Sequence, residues 1–258
     1  MKIIFHFFFC MILLPASVLA TGPDTTIING VHIVSEYSEA IFPESWQEAP
    51  VNATGEQITH DELKRTQLII EKALHKYPQN LLTITLKRVY LLKSMKFYNV
   101  VFGGTNSSDA VYVTNNGEAL GYSNSYIEQT FHHEFSSILF RDYPTFLDTI
   151  TWKRQNDPGF DYNDPENGVG AIKNNESSQG LNTELAKKGM LTQYAMSSLE
   201  NDINTMAQNL FSPAPDFWEI ADKYPKVGMK VKLLISFYGK LSSIFNEQYF
   251  RSFNKTAE

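Results

Sequence analysis

The chain of 258 residues carries a single cysteine, Cys10. A disulfide framework is therefore excluded, and the fold must rest on core burial, which a chain of this length supplies unaided. Positive charge is also scarce: 22 Lys and Arg stand against 28 Asp and Glu, for a net charge of −6. The basic footprint of a nucleic-acid binder is missing, so no nucleic-acid partner is expected. Beyond the first twenty residues no apolar run approaches the roughly 20 residues of a transmembrane helix, so no membrane span is expected either. Internal repeats and low-complexity tracts are absent. What is present is the composition of a packed protein, 43% hydrophobic and 19% charged, which excludes a disordered tail or a fibre.

The N-terminus predicts the compartment. Lys2 precedes an almost unbroken apolar run, Ile3 to Leu14, and Val18-Leu19-Ala20 gives a small-x-small pattern. Residues 1–20 read as a signal peptide cut after Ala20, which removes Cys10. The remainder, 21–258, reads as one domain, secreted or periplasmic. Four Asn-x-Ser/Thr sequons begin at Asn52, Asn106, Asn175 and Asn254; they serve only as weak markers of surface loops.

Residues 21–57 are rich in turn formers, with a short strand at Val31 to Val34. Thr59 and Glu62 form a capping box opening a helix to about Tyr77, where Pro78 stops it. Leu63, Ile70, Ala73 and Leu74 give that helix its apolar stripe, and His60 and His75 fall on its surface. Leu82 to Met95 reads as strand, as does Ala110 to Thr114, with Gly103-Gly104 in the turn region between them. A second capping box, Ser125 and Glu128, opens a helix ending before Pro144. Residues 153–183 are polar and read as a long loop. Helices follow at about 199–211, 216–223 and 227–250. Strands first and helices later predict an α+β fold.

The chemistry centres on Phe131-His132-His133-Glu134-Phe135-Ser136-Ser137-Ile138-Leu139. At about 100° per residue, Ile127, Phe131, Phe135, Ile138 and Leu139 form a core arc. Thr130, His133, Ser137 and Phe140 lie away from it, with Glu134 at the border. His133 and Ser137 stand at i and i+4 and share a face. A zinc-peptidase helix has two histidines at that spacing, so that both imidazoles reach one metal and the glutamate after the first polarises its water. Here the second position is Ser137, a poor zinc ligand beside imidazole or carboxylate. His132 points about 100° away and does not substitute for it. Periodicity alone leaves a purely structural role open for His133.

The segment resembles the zincin metallopeptidases, in particular a gluzincin-like zinc-binding family. The resemblance runs in order over roughly residues 60–211: Gly103-Gly104, Val111-Tyr112-Val113, the His133-Glu134-Phe135-Ser136-Ser137-Ile138-Leu139 helix, Gly189-Met190-Leu191-Thr192-Gln193-Tyr194-Ala195, and Glu200-Asn201-Asp202-Ile203-Asn204. It implies a zincin-like fold: a small sheet, an active-site helix and a helical C-terminal part. It also implies zinc held by His133, Glu134 as general base, Tyr194 steadying the oxyanion, and an edge strand at 110–114 pairing with an extended peptide or protein substrate. The family's third ligand is a glutamate seven residues after the tyrosine; here that position is Asn201. Two of three ligand positions, Ser137 and Asn201, have thus lost their usual side chains, and Glu200 or Asp202 would have to rebuild one. The bland reading of Glu200 is a carboxylate favoured at a helix N-terminus. Three readings stay open: a metallopeptidase with an altered zinc site, an inactive zincin-like domain that binds peptide or surface polymer, and an unrelated secreted binding protein.

Overall fold

The computed structural model describes residues 25–163 and 168–254. The expected signal peptide, 1–20 with Cys10, lies outside them. Seven strands form one sheet: β1 (Thr25–Ile28), β2 (Val31–Val34), β3 (Thr54–Gln57), β4 (Arg88–Phe97), β5 (Val100–Phe102), β6 (Gly104–Asn106) and β7 (Ala110–Thr114). The helices are α1 (Glu44–Gln47), α2 (His60–Leu74), α3 (Gln79–Thr85), α4 (Asn124–Asp142), α5 (Thr149–Lys153), α6 (Val169–Lys173), α7 (Thr183–Lys187), α8 (Leu199–Phe211), α9 (Phe217–Lys223), α10 (Pro225–Leu241) and α11 (Glu247–Arg251). The α+β expectation holds, with a small sheet in front and a helical C-terminal part.

The strand order is β1-β2-β4-β7-β6. β2, β4 and β7 run parallel, while β1 and β6 close the two ends antiparallel. β3 and β5 pair with the far half of β4. The β1–β2 hairpin turns on Asn29-Gly30, both at positive φ, as a two-residue turn of primed type requires. The β4–β5 hairpin turns on Tyr98-Asn99, also both at positive φ, without a glycine.

Several boundaries differ from expectation. The strand expected at 82–95 begins only at Arg88, because Pro78 starts a further helix, α3, which buries Leu81, Leu82 and Thr85 at helical spacing. The strand at 110–114 is present but is not an edge: β4 flanks it on one side and β6 on the other. The edge on this side of the sheet is β6, since the chain after Gly103 folds back onto β7 instead of merely turning. Helix α4 is capped by Ser123, whose Oγ accepts from Tyr126 N–H, not by Ser125. Glu128 is instead bound to Lys72 and Lys76. Thr59 is the N-cap of α2 but makes no side-chain cap; Glu62 goes to Arg65 and Asn115. The expected helix over 227–250 is two helices, α11 being restarted by Asn246, whose Oδ1 caps Tyr249 N–H. The polar stretch 153–183 contains α6.

The main core lies between one face of the sheet and the helices, while Phe42, Phe97 and Tyr112 head a smaller aromatic cluster on the other face. Helix α4 packs against β6 and β7, against α2, and against α8, with α10 behind α8. The core arc of α4 is fully buried as expected. The middle of the opposite arc, expected to lie away from the core, is buried as well: His133 and Ser137 are 7% and 2% exposed, because α8 covers that side, while Thr130 and Phe140 are half-buried.

On its far face α8 is tied down by Asp202. The carboxylate accepts from Lys230 Nζ at 2.7 Å, Trp152 Nε1 at 2.8 Å and Tyr162 Oη at 2.8 Å. Lys230 also donates to the Gly189 carbonyl at 2.6 Å. Burial pushes the Lys230 ammonium below its ordinary pKa, against the pull of Asp202. Breaking a buried pair from one side leaves an uncompensated charge, at a cost of about 3–5 kcal/mol. Asp202→Ala is expected to lose stability on that scale, read from urea unfolding midpoints against wild type, whereas a surface substitution such as Lys187→Ala stays near wild type.

Candidate functional site

The cleft forms where β6, α4 and α8 meet. Glycine at 104 is what lets β6 approach α4: a Cβ there would collide with Thr130 and with Glu134. The space enclosed is about 250 Å³. His133, Glu134 and Tyr194 all line it, together with Gln208 from α8 and Ser177 and Gln179 from the 153–183 stretch. Three residues expected to share a site, drawn from positions about sixty apart in sequence, are thus brought together.

His133 is held from both sides. Its Nδ1–H donates to Gln208 Oε1 at 2.8 Å, which leaves Nε2 as the lone-pair nitrogen. Its ring stacks on Tyr194, with centroids 5.9 Å apart and planes 27° from parallel. Glu134 Oε2 accepts from Asn106 Nδ2 at 2.8 Å, and Asn106 Oδ1 in turn accepts from Arg141 at 2.8 Å. The Asn106 sequon is therefore no loop marker, because the residue lies in β6 and its amide is spent on Glu134 and Arg141 of α4. Burial raises the Glu134 pKa, while His133, the Asn106 hydrogen bond and Arg141 pull it down and Glu200 adds to the rise.

The remaining expected positions do not join the cleft as ligands. Ser137 Oγ accepts from Asn204 Nδ2 at 2.5 Å across the α4–α8 contact. Asn201 Nδ2 donates to Ser197 Oγ at 2.8 Å. Asp202, one candidate for rebuilding a ligand, is consumed by Lys230, Trp152 and Tyr162 on the opposite face of α8. Glu200 is partly exposed in the first turn of α8, near enough to act on Glu134 electrostatically but not among the residues lining the cleft. Among the described residues no group of three His, Cys, Asp or Glu side chains is placed to hold a metal ion. A protein zinc site uses three or four strong ligands, so the donors present do not fit one.

His132 stays out of the cleft, as its position on the helix requires. It is buried with Nδ1 2.8 Å from the Tyr77 hydroxyl, and burial drives its pKa down to about 4. The sequence reading missed Asn106 and Gln208. A signal for Gln208 was available: Asn201, Asn204 and Gln208 recur at i, i+3 and i+7, a stripe of amides along one face of the helix.

No protein-family model matches the chain, and no curated protein matches it. Among solved structures the fold is similar to that of a "putative zinc-binding metallo-peptidase" from Bacteroides caccae. The two chains are 16% identical, with a TM-score of 0.50 over 78% of this chain and 82% of that one. At this identity the likeness is one of fold: the chain has a metallopeptidase-like architecture. No helix among the described residues is long and apolar enough to cross a membrane.

A carboxyl whose pKa is raised by folding keeps a proton that the unfolded chain gives up. Its contribution to stability is lost as pH rises from the ordinary glutamate value to the folded one. Glu134→Gln removes that loss and can still accept from Asn106. The variant is expected to melt above wild type at pH 7, and the two melting curves should converge near pH 4, where the carboxyl is protonated in both states. Differential scanning calorimetry at the two pH values checks this.

Proposed function

We propose that this protein is an exported, metallopeptidase-like domain that binds extended peptide in its cleft without a resident zinc ion. One observation carries the reading: both substituted ligand positions are neutral, buried and already hydrogen-bonded within the fold, Ser137 to Asn204 and Asn201 to Ser197. A ligand entering the cleft meets one imidazole and one carboxylate rather than a three-ligand set. The open edge of β6 supplies unpaired backbone groups to an extended chain, the general means by which sheets add a peptide strand. This moves the expected docking strand from 110–114 to Gly104–Asn106. The apolar run at residues 3–14 and the small-x-small pattern before residue 21 support export to a secreted or periplasmic location.

A second reading, a peptidase with an altered zinc site, has its own support. His133 has the arrangement of many metal-binding histidines, Nδ1–H on an amide oxygen with Nε2 free to coordinate. Glu134 and Tyr194 stand beside it, and Glu200 would have to turn inward to complete the set.

Metal analysis separates the two. Purified protein is expected to hold zinc well below one equivalent, and to bind a blocked threonine–alanine pentapeptide equally with and without EDTA. The double variant Ser137→His with Asn201→Glu should gain zinc affinity by calorimetric titration. One equivalent of zinc in the wild type, lost on His133→Ala, would establish the second reading instead.

A further inference from the structure

Glu134 is the one formally charged side chain among the described residues lining the cleft. Its two oxygens differ. Oε2 is occupied by Asn106, whereas Oε1 receives no hydrogen bond from the described residues and faces the glycine backbone at 104, 2.9 Å from where a Cβ would stand. No described Lys, Arg or His is ion-paired to it; Arg141 reaches it only through the Asn106 amide. Glu134 is half-buried in the cleft wall, and its bare oxygen leaves one acceptor site open to a cation that enters the cleft.

The surroundings fit an alkylammonium better than any other cation. The stacked rings of His133 and Tyr194 and the ring of Tyr126 offer apolar and π surface for a methylene stem and its charged tip. A guanidinium recognises a carboxylate through two parallel hydrogen bonds, and Asn106 has already taken one of the two oxygens. An ammonium is a point charge and needs only one acceptor. The edge strand β6 runs directly beside Glu134, so a peptide paired to that edge presents alternate side chains toward it.

We infer that the cleft selects peptides carrying a lysine-type primary ammonium, with Glu134 Oε1 as its acceptor. This rests on the peptide-binding reading above and names the ligand class of that same site. A charge-assisted hydrogen bond to a half-buried carboxylate corresponds to a preference of roughly tenfold.

The test uses N-acetylated, C-amidated pentapeptides of alternating threonine and alanine, with lysine, norleucine or arginine at the centre, titrated into the full chain by calorimetry at pH 7.5. The lysine peptide is expected to bind about tenfold more tightly than its norleucine counterpart. In Glu134→Gln the two should bind alike, at the norleucine affinity of wild type, with the fold of the variant checked by its melting curve. A second readout needs no variant: by carbon-13 NMR, saturating lysine peptide should draw the Glu134 titration to lower pH, and norleucine peptide should not. His133, Glu200 and Arg141 face the same carboxyl and act equally in both titrations, so only their difference is read. Equal binding of lysine and norleucine by wild type overturns the inference while leaving the peptide-binding reading intact. A lysine preference that survives in Glu134→Gln, or an arginine peptide binding more tightly than lysine, overturns the assignment to a single oxygen of Glu134. Failure of all three peptides to bind overturns both readings.

Discussion

The enclosure of α4 governs the rest of the structure. A helix covered by a sheet on one side and by helices on two others leaves the polar side chains of its middle turns, Glu128, His132, His133, Ser136 and Ser137, little water to turn to. Each must find a partner inside the protein or carry the cost of desolvation. The partners come from the elements that enclose it. Lys72 and Lys76 of the α2 region hold Glu128, Asn106 of β6 holds Glu134, and α8 holds His133 and Ser137 through Gln208 and Asn204. Burial opposes the ionisation of Glu128, but His132 and the lysines outweigh it and keep the carboxyl well below its usual range.

Helix α8 carries two different loads. Its far face presents Asp202 to a cation and two aromatic donors, which fixes the position of the helix. Its near face presents amides that complete the hydrogen bonding of α4. Neither face needs an ion to join the two helices, because the far face supplies the anchor and the near face supplies neutral pairs. Among the described residues lining the cleft, Glu134 is the one formal charge, and this gives that carboxylate its prominence.

Much of the fold was legible in periodicity. The apolar stripe of α2, the core arc of α4 and the extents of β2, β7 and α8 all follow from spacing and punctuation. The misreadings have physical causes. α3 is short and rich in residues that suit a strand, so only its contact with the core distinguishes it. The Tyr98-Asn99 turn has no glycine to announce its positive φ. The second arc of α4 looked exposed because a helical wheel describes one helix, and the burial of that arc is decided by α8, more than sixty residues away. Within the site, His133, Glu134 and Tyr194 could be named from the resemblance. Asp202 could not be told from Glu200 as a ligand candidate, because sequence gives no account of Lys230 and Trp152 waiting on its other side.

Asn106 sits between Arg141 and Glu134, and Ser107 follows it in the chain. Asparagine before a small residue is the usual place for spontaneous loss of the side-chain amide through attack by the next backbone nitrogen. That attack needs a freely turning side chain, and here both ends of the amide are held. Were the reaction to occur, an aspartate would stand against Glu134, and two neighbouring carboxylates would no longer both ionise near neutral pH. The bonds that orient the Glu134 carboxylate therefore also protect the chain from chemical ageing at a residue where ageing would disturb the cleft.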